Sequence, residues 1–161
     1  MKNVSLEVLG ANLSINVDAK DTREIRELDI EAFGEDNAKT FEEFLESLVE
    51  FLRQKSVFLI IARDTSNGVR EKGKIIGMAT LFVRMLVGGY KVGWLDDVTT
   101  RKEYRGKGVG ELLEKEACKI AHRENCDRID LSNDPEKGSS GFWSKRGYEE
   151  RKTRMYRKLI P

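Results

Sequence analysis

The stretch YRGKGVG, Tyr104 to Gly110, sets glycines at alternate positions among positive charges, directly before a run with helical spacing. At a helix start the backbone N–H groups lack intrahelical partners and point outward with the positive end of the helix dipole. Glycines let an anion approach them closely. Phosphate is the natural guest, with Arg105 and Lys107 adding charge, and two adjacent phosphates would use several consecutive donors. A loop needing left-handed angles would also use glycine, but that need accounts for one or two such residues more readily than three. The strand, glycines, helix and Asp130 about 20 residues on imitate a dinucleotide fingerprint. Yet that fingerprint wants G-x-G-x-x-G at the strand end, and here the spacing is G-x-G-x-G with charged residues intervening after Val98. A P-loop fails too, because no G-K-S or G-K-T closes the run.

Working outward, Tyr90 to Thr100 reads as a central strand that runs into this loop, and Gly88-Gly89 as the turn before it. Val109, Leu112, Leu113, Glu116, Ala117, Ile120 and Ala121 trace a helix with one mostly apolar face. Upstream, Val57 to Ala62 and Lys74 to Leu86 are apolar runs around Asn67-Gly68, the pattern of a hairpin. Thr40 with Glu43 forms a capping box for a helix whose stripe is Phe41, Phe44, Leu45, Leu48, Val49 and Leu52. Asp21 with Glu24 suggests another box, for a helix through Phe33. Leu13 to Val17 alternates like a strand. Downstream the pattern predicts a strand over Arg128 to Ser132, a short helix over Pro135 to Lys145 and one or two strands over Tyr148 to Leu159.

At 161 residues, with no repeat, low-complexity tract or long linker, the chain is expected to form a single domain over 1–161. Lys plus Arg number 29 against 28 Asp plus Glu, a net charge of +1, so nothing general recommends nucleic acid or an anionic membrane as partner. No apolar run approaches the roughly 18 residues of a membrane span, and MKNVSLEVLG lacks a signal peptide's apolar segment. A cytoplasmic protein is expected. Cys118 and Cys126, with only His122 nearby, make a poor metal set and read as unpaired thiols.

The motifs resemble the GNAT superfamily of acetyl-CoA-dependent N-acetyltransferases. Arg105-Gly106-Lys107-Gly108-Val109-Gly110 matches that family's R/Q-x-x-G-x-G/A pyrophosphate loop. Asp96-Asp97-Val98-Thr99-Thr100 is similar to its central strand, with paired acids where some members carry Glu-Asp. Gly141 to Tyr148 is similar to its F-Y-x-x-x-G-F/Y segment. The resemblance implies an α/β fold with a mixed, mainly antiparallel central sheet flanked by helices and splayed where the coenzyme enters. It implies acetyl-CoA as cosubstrate and a primary amine of a small molecule or peptide as acceptor. By the same resemblance the backbone at Val98 and Thr100 pairs with the pantetheine arm, and the amides of Arg105, Gly106, Lys107, Gly108, Val109 and Gly110 hold the pyrophosphate. Ser140 and Trp143 join the coenzyme-binding set, and a homodimer is left open.

Acetyl transfer needs a neutral amine, hence a base. Asp96 occupies the place of the family's Glu, with Asp97 beside it. Adjacent carboxylates attract a cationic amine and, if partly buried, raise one another's pKa. Strand alternation would instead send one of them away from the site. The chain departs from the family at Trp143, where a tyrosine commonly protonates the leaving sulfur. An indole N–H donates a hydrogen bond but is no acid near neutral pH. Water, Tyr148, Ser140 or Tyr104 could replace it, or the thiolate could leave unprotonated. The alternatives to an acetyltransferase are an acyl-CoA-binding regulatory module without turnover and a nucleotide-binding domain of another class.

Overall fold

The computed structural model describes residues 3–10, 17–35, 39–66, 72–134, 140–153, 155–158 and 160. They fall into two compact units, Met1–Leu131 and Ser132–Pro161, described in turn.

The first unit is a five-stranded sheet in the order β1-β2-β3-β4-β5, formed by Val4–Gly10, Val57–Asp64, Ile75–Met85, Lys91–Thr100 and Arg128–Leu131. Its first three pairings are antiparallel and the last is parallel, so the mixed, mainly antiparallel sheet expected from the motifs is present. β2 is buried from Val57 to Arg63, which explains its unbroken apolar run: both of its faces are covered. Leu59 and Ile61 join a core under helices α1 (Ala19–Phe33) and α2 (Phe41–Leu52), together with Ile25, Leu28, Leu48 and Leu52. On β2's alternate face, Phe58 lies beneath Arg123 of helix α3 (Val109–Arg123), 5.8 Å from ring centroid to guanidinium. The sheet is thus sandwiched between helices.

α2 begins as expected. The Thr40 side chain accepts the Glu43 N–H, and the Glu43 carboxylate accepts the Thr40 N–H. α1 corrects the expectation: its N-cap is Asp18, whose carboxylate accepts the Asp21 N–H at 2.8 Å. Asp21 and Glu24 work at longer range instead. The Asp21 carboxylate, fully buried, receives both Nη1 and Nη2 of buried Arg63 at 2.9 Å and the Lys72 ammonium at 2.8 Å. Arg63 Nε also reaches Glu7 at 2.9 Å, so one guanidinium ties β1, β2 and α1 together. Glu24 accepts the Ile75 N–H at 2.7 Å.

Two glycines set how closely α3 lies on the sheet. A Cβ at Gly77 would stand 2.9 Å from both the Thr99 carbonyl oxygen and Val109 Cγ1, and one at Gly93 would stand 3.1 Å from Leu81 Cδ1. Val109, Leu113, Ala117, Ile120 and Ala121 fill that interface at helical spacing.

The edge strand β1 was not foreseen, and most of the expected Leu13 to Val17 strand lies outside the described residues, as does the Asn67-Gly68 turn. Gly88-Gly89 does turn the chain, with the Gly89 N–H donating to the Leu86 carbonyl. In the second unit α4, Ser140–Ser144, falls within the expected helix, and 135–139 lie outside the described residues. The expected strands over Tyr148 to Leu159 are not found: none of the described residues there is in a strand. Charge explains the difference, because Glu149, Glu150, Arg151 and Lys152 stand in one unbroken run and Arg157-Lys158 in another, which leaves no alternation of apolar and polar residues for a strand to bury.

Candidate active site

β4 is interior to the sheet, but its two edges end differently. Against β5 it pairs only from Val92 to Leu95, and Asp96 to Thr100 continue without a β5 partner. Against β3 it pairs throughout, with one interruption: Thr80 faces Asp96 and Met78 faces Thr99, so Asp97 and Val98 together oppose one residue. This is a β-bulge, and Asp97 has φ +51°. Aspartate is among the few non-glycine residues that tolerate this left-handed region.

The bulge decides where the paired acids go. In a regular strand they would point to opposite faces. Here Asp96 sits opposite Thr80, while Asp97 accepts a hydrogen bond from Thr80 Oγ1 at 3.3 Å, so both lie beside one residue. Asp97 faces a cavity of about 190 Å³ beneath α1 and α2, whose walls include Phe44, Leu48, Phe51, Met78 and Thr80. Burial, reinforced by the charges of Asp96 and Asp29, raises the Asp97 carboxyl from 3.8 to about 6, against the Thr80 hydrogen bond that pulls it down. Asp96 accepts the Asp97 N–H at 3.2 Å.

β4 then runs into the glycine loop. Arg101 anchors the exit: its N–H donates to the Ile76 carbonyl, and its buried guanidinium to the Ile75 carbonyl at 2.8 Å and to Glu27 at 3.1 Å. A single 3-10 turn, Lys102–Tyr104, follows, and the Tyr104 hydroxyl donates to Asp64 at 2.7 Å. Gly106 and Gly108 take φ +72° and +83°, and a Cβ at either would meet nothing within 4 Å. Their openness toward solvent is what close approach of a ligand to backbone requires. Gly108 caps α3 without a side-chain hydrogen bond, and the first helical bond is Leu112 N–H to the Gly108 carbonyl. The N–H groups of Gly108, Val109 and Gly110 therefore have no intrahelical acceptor, although Val109 and Gly110 already belong to the helix. Lys107 lies over the Tyr104 ring at 5.1 Å, and Arg105 Nε donates to the Thr100 carbonyl at 3.1 Å. The donor set and the open glycines fit a pyrophosphate-bearing coenzyme.

Of the expected site residues, Asp96, Asp97, Val98, Thr100 and the loop from Arg105 to Gly110 are thus carried by one strand–loop–helix segment. Ser140 and Trp143 belong to α4 in the second unit. There Trp143 packs edge-on against Phe142 and Tyr148, with ring centroids 4.7 and 5.4 Å away, and its carbonyl accepts the N–H groups of Arg146 and Tyr148. Sequence reasoning missed Thr80 and Asp29. Asp29 lies four residues after buried Ile25 and so shares the inward face of α1. That spacing was the available signal.

A sheet of this order, a bulged strand feeding a glycine-rich helix start, and a half-buried acid beside it are the arrangement that the sequence resemblance implied for an acetyltransferase. The chain belongs to the acetyltransferase (GNAT) family, which residues 22–148 match. Among curated proteins it is similar to glucosamine 6-phosphate N-acetyltransferases of Trypanosoma brucei brucei, 32% identical over 85 residues (52% of this chain, 56% of the relative), and Candida albicans, 30% over 80 residues (48% and 52%). The chain spans about half the length of the curated relatives it matches. Among solved structures, an acetyltransferase from Trypanosoma brucei shares the fold at a TM-score of 0.76 with 22% identity, covering 98% of this chain and 100% of that one. Glucosamine-6-phosphate N-acetyltransferase from Arabidopsis thaliana does so at 0.74 with 18% identity, covering 97% and 99%.

Proposed function

We propose that the protein is an N-acetyltransferase that moves an acetyl group from acetyl-CoA to a primary amine. The observation that carries this reading is the β4 bulge, which sets the half-buried Asp97 carboxyl against a cavity on the strand that delivers the glycine loop, with its pKa raised to about 6. At neutral pH such a group is mostly ionised, yet it remains a stronger base than an ordinary aspartate. Asp97 rather than Asp96 is therefore given the task of accepting the amine's proton. Asp96 keeps that pKa high through its charge and helps draw in the cation.

Acetyl-CoA supplies a thioester whose carbonyl the amine attacks and whose thiolate departs. The chain's part is to bind and orient it. The N–H groups of Gly106, Gly108, Val109 and Gly110 hold the pyrophosphate, since those of Arg105 and Lys107 already donate to the Lys102 and Tyr104 carbonyls. The Arg105 and Lys107 side chains add charge, and the open β4 edge at Val98 and Thr100 offers backbone groups to the pantetheine arm. The family resemblance assigns Ser140 and Trp143, in the second unit, to the coenzyme as well. The family match crosses both units, which supports one acetyltransferase domain over the whole chain. Among the described residues no helix is long and apolar enough to cross a membrane. We place the protein in the cytoplasm, with a small-molecule or peptide amine as partner and no nucleic acid or membrane, and leave a homodimer open.

Trp143 favours a second reading, an acyl-CoA-binding module without turnover, because its indole cannot protonate a thiolate. Acetyl-CoA-dependent release of free thiol across an amine panel separates the two. Turnover should bring an acidic limb near pH 6 in kcat/KM, with activity falling as Asp97 takes up a proton, and Asp97→Asn should remove both limb and most of the rate. A limb and rate unchanged in that variant would put the base elsewhere.

A further inference from the structure

The cavity under α1 and α2 has an acceptor's dimensions and a defined chemistry. An apolar cavity of roughly 150 Å³ takes one benzene ring, and this one measures about 190 Å³. Ile25, Phe44, Leu48, Phe51, Leu59 and Met78 make most of its wall. Its charged lining residues are both carboxylates, Asp29 and Asp97, and each is held above its ordinary range by burial. Asp29 has no hydrogen bond or ion pair with any other described residue, although it is half-buried. Lys39 comes to the rim, where its ammonium donates to Ser47 Oγ at 2.6 Å, but it is exposed and does not line the cavity.

These features discriminate among amines. Two half-buried carboxylates favour a cation and oppose a phosphate dianion. The several hydroxyls of an amino sugar, or the further ammonium groups of a polyamine, would have only Ser47, Thr80 and the two carboxylates to meet and would lose water against Phe44, Phe51 and Met78. An apolar ring or short alkyl body loses nothing there and gains burial.

We propose that the acceptor is a small primary amine whose ammonium faces Asp29 and Asp97 and whose body is one apolar ring or a short alkyl chain, with Asp29 as the specificity-determining residue. The assignment rests on the acetyl-transfer reading, so binding and turnover are measured separately. At saturating acetyl-CoA, thiol release is followed with 2-phenylethylamine, spermidine and glucosamine 6-phosphate. Calorimetry then follows 2-phenylethylamine binding to the CoA-loaded protein. The expected result is a kcat/KM for 2-phenylethylamine at least about tenfold above the other two. Asp29→Asn, which is isosteric, should raise its KM about tenfold while kcat changes less than about threefold, because a charge-assisted contact to the ammonium is lost and the base is not. Preference for glucosamine 6-phosphate or spermidine overturns the proposal, as does a KM within about threefold in the Asn variant. If no amine releases thiol, calorimetry decides. Binding weakened about tenfold by Asp29→Asn upholds the pocket assignment and sinks acetyl transfer, whereas no binding of 2-phenylethylamine sinks the pocket assignment itself.

Discussion

Asp97→Asn should make the protein more stable at neutral pH while disabling it. The carboxyl has its pKa raised from 3.8 to about 6 in the folded state, chiefly by burial. Between those values the native chain holds a proton that the unfolded chain has released, so stability falls as pH rises through the window. Above pH 6 the full penalty of the buried charge is present, about 3 kcal/mol by linkage. Asparagine removes the charge, keeps an acceptor for Thr80 Oγ1 and tolerates the left-handed backbone at φ +51°. Urea unfolding of both proteins at pH 4.5 and 7.5 isolates this group, because other titrations cancel in the difference. The advantage of the variant should widen by about 2 kcal/mol between the two pH values. A difference that is flat with pH, or that shrinks as pH rises, would refute the reasoning and with it the basis for making Asp97 the base.

Gly108→Val should fold with a loss of about 1–2 kcal/mol from a side chain at φ +83°, and should lose CoA binding in calorimetry. Unchanged affinity would remove the phosphate assignment. Asp21→Ala leaves the buried Arg63 guanidinium with the Glu7 carboxylate and the Gly73 carbonyl, and should cost about 3–5 kcal/mol in urea unfolding. A loss under about 1 kcal/mol would mean that the cluster relaxes or hydrates in the variant. Trp143→Phe should keep most of the turnover at saturating acetyl-CoA, and Trp143→Tyr should match or exceed it. Collapse of the Phe variant with binding and Tm unchanged would show that the indole takes part.

The parts of this protein readable from sequence are those whose physics is local. The Thr40–Glu43 box needs only a hydroxyl and a carboxylate three residues apart, and the α2 stripe only its period. The glycines from 106 to 110 announce a backbone exposed at a helix start for the same reason. Reading failed where a distant partner decides. Asp21 and Glu24 have the spacing of a cap, yet Arg63 and Ile75, far along the chain, claim their carboxylates. The elevated pKa of Asp97 comes first from burial against walls that other elements contribute, then from the charges of Asp96 and Asp29, and of these only Asp96 adjoins it in sequence. Most consequential was the bulge: alternation along β4 predicts opposed acids, and nothing in D-D-V-T-T states that the ladder skips there.

That skip constrains how the chain can change its length. A residue deleted at Asp97 or Val98 would restore even pairing with β3 and reverse the facing of every residue on one side of the cut. Either the apolar set from Val92 to Leu95 or the approach to the glycine loop would be turned over. Insertions and deletions should be tolerated at the exposed Gly88-Gly89 turn, where the neighbouring ladder can keep its register, and rejected at Asp97-Val98. β4 is a segment whose residue count, as much as its residue types, sets which face each side chain takes.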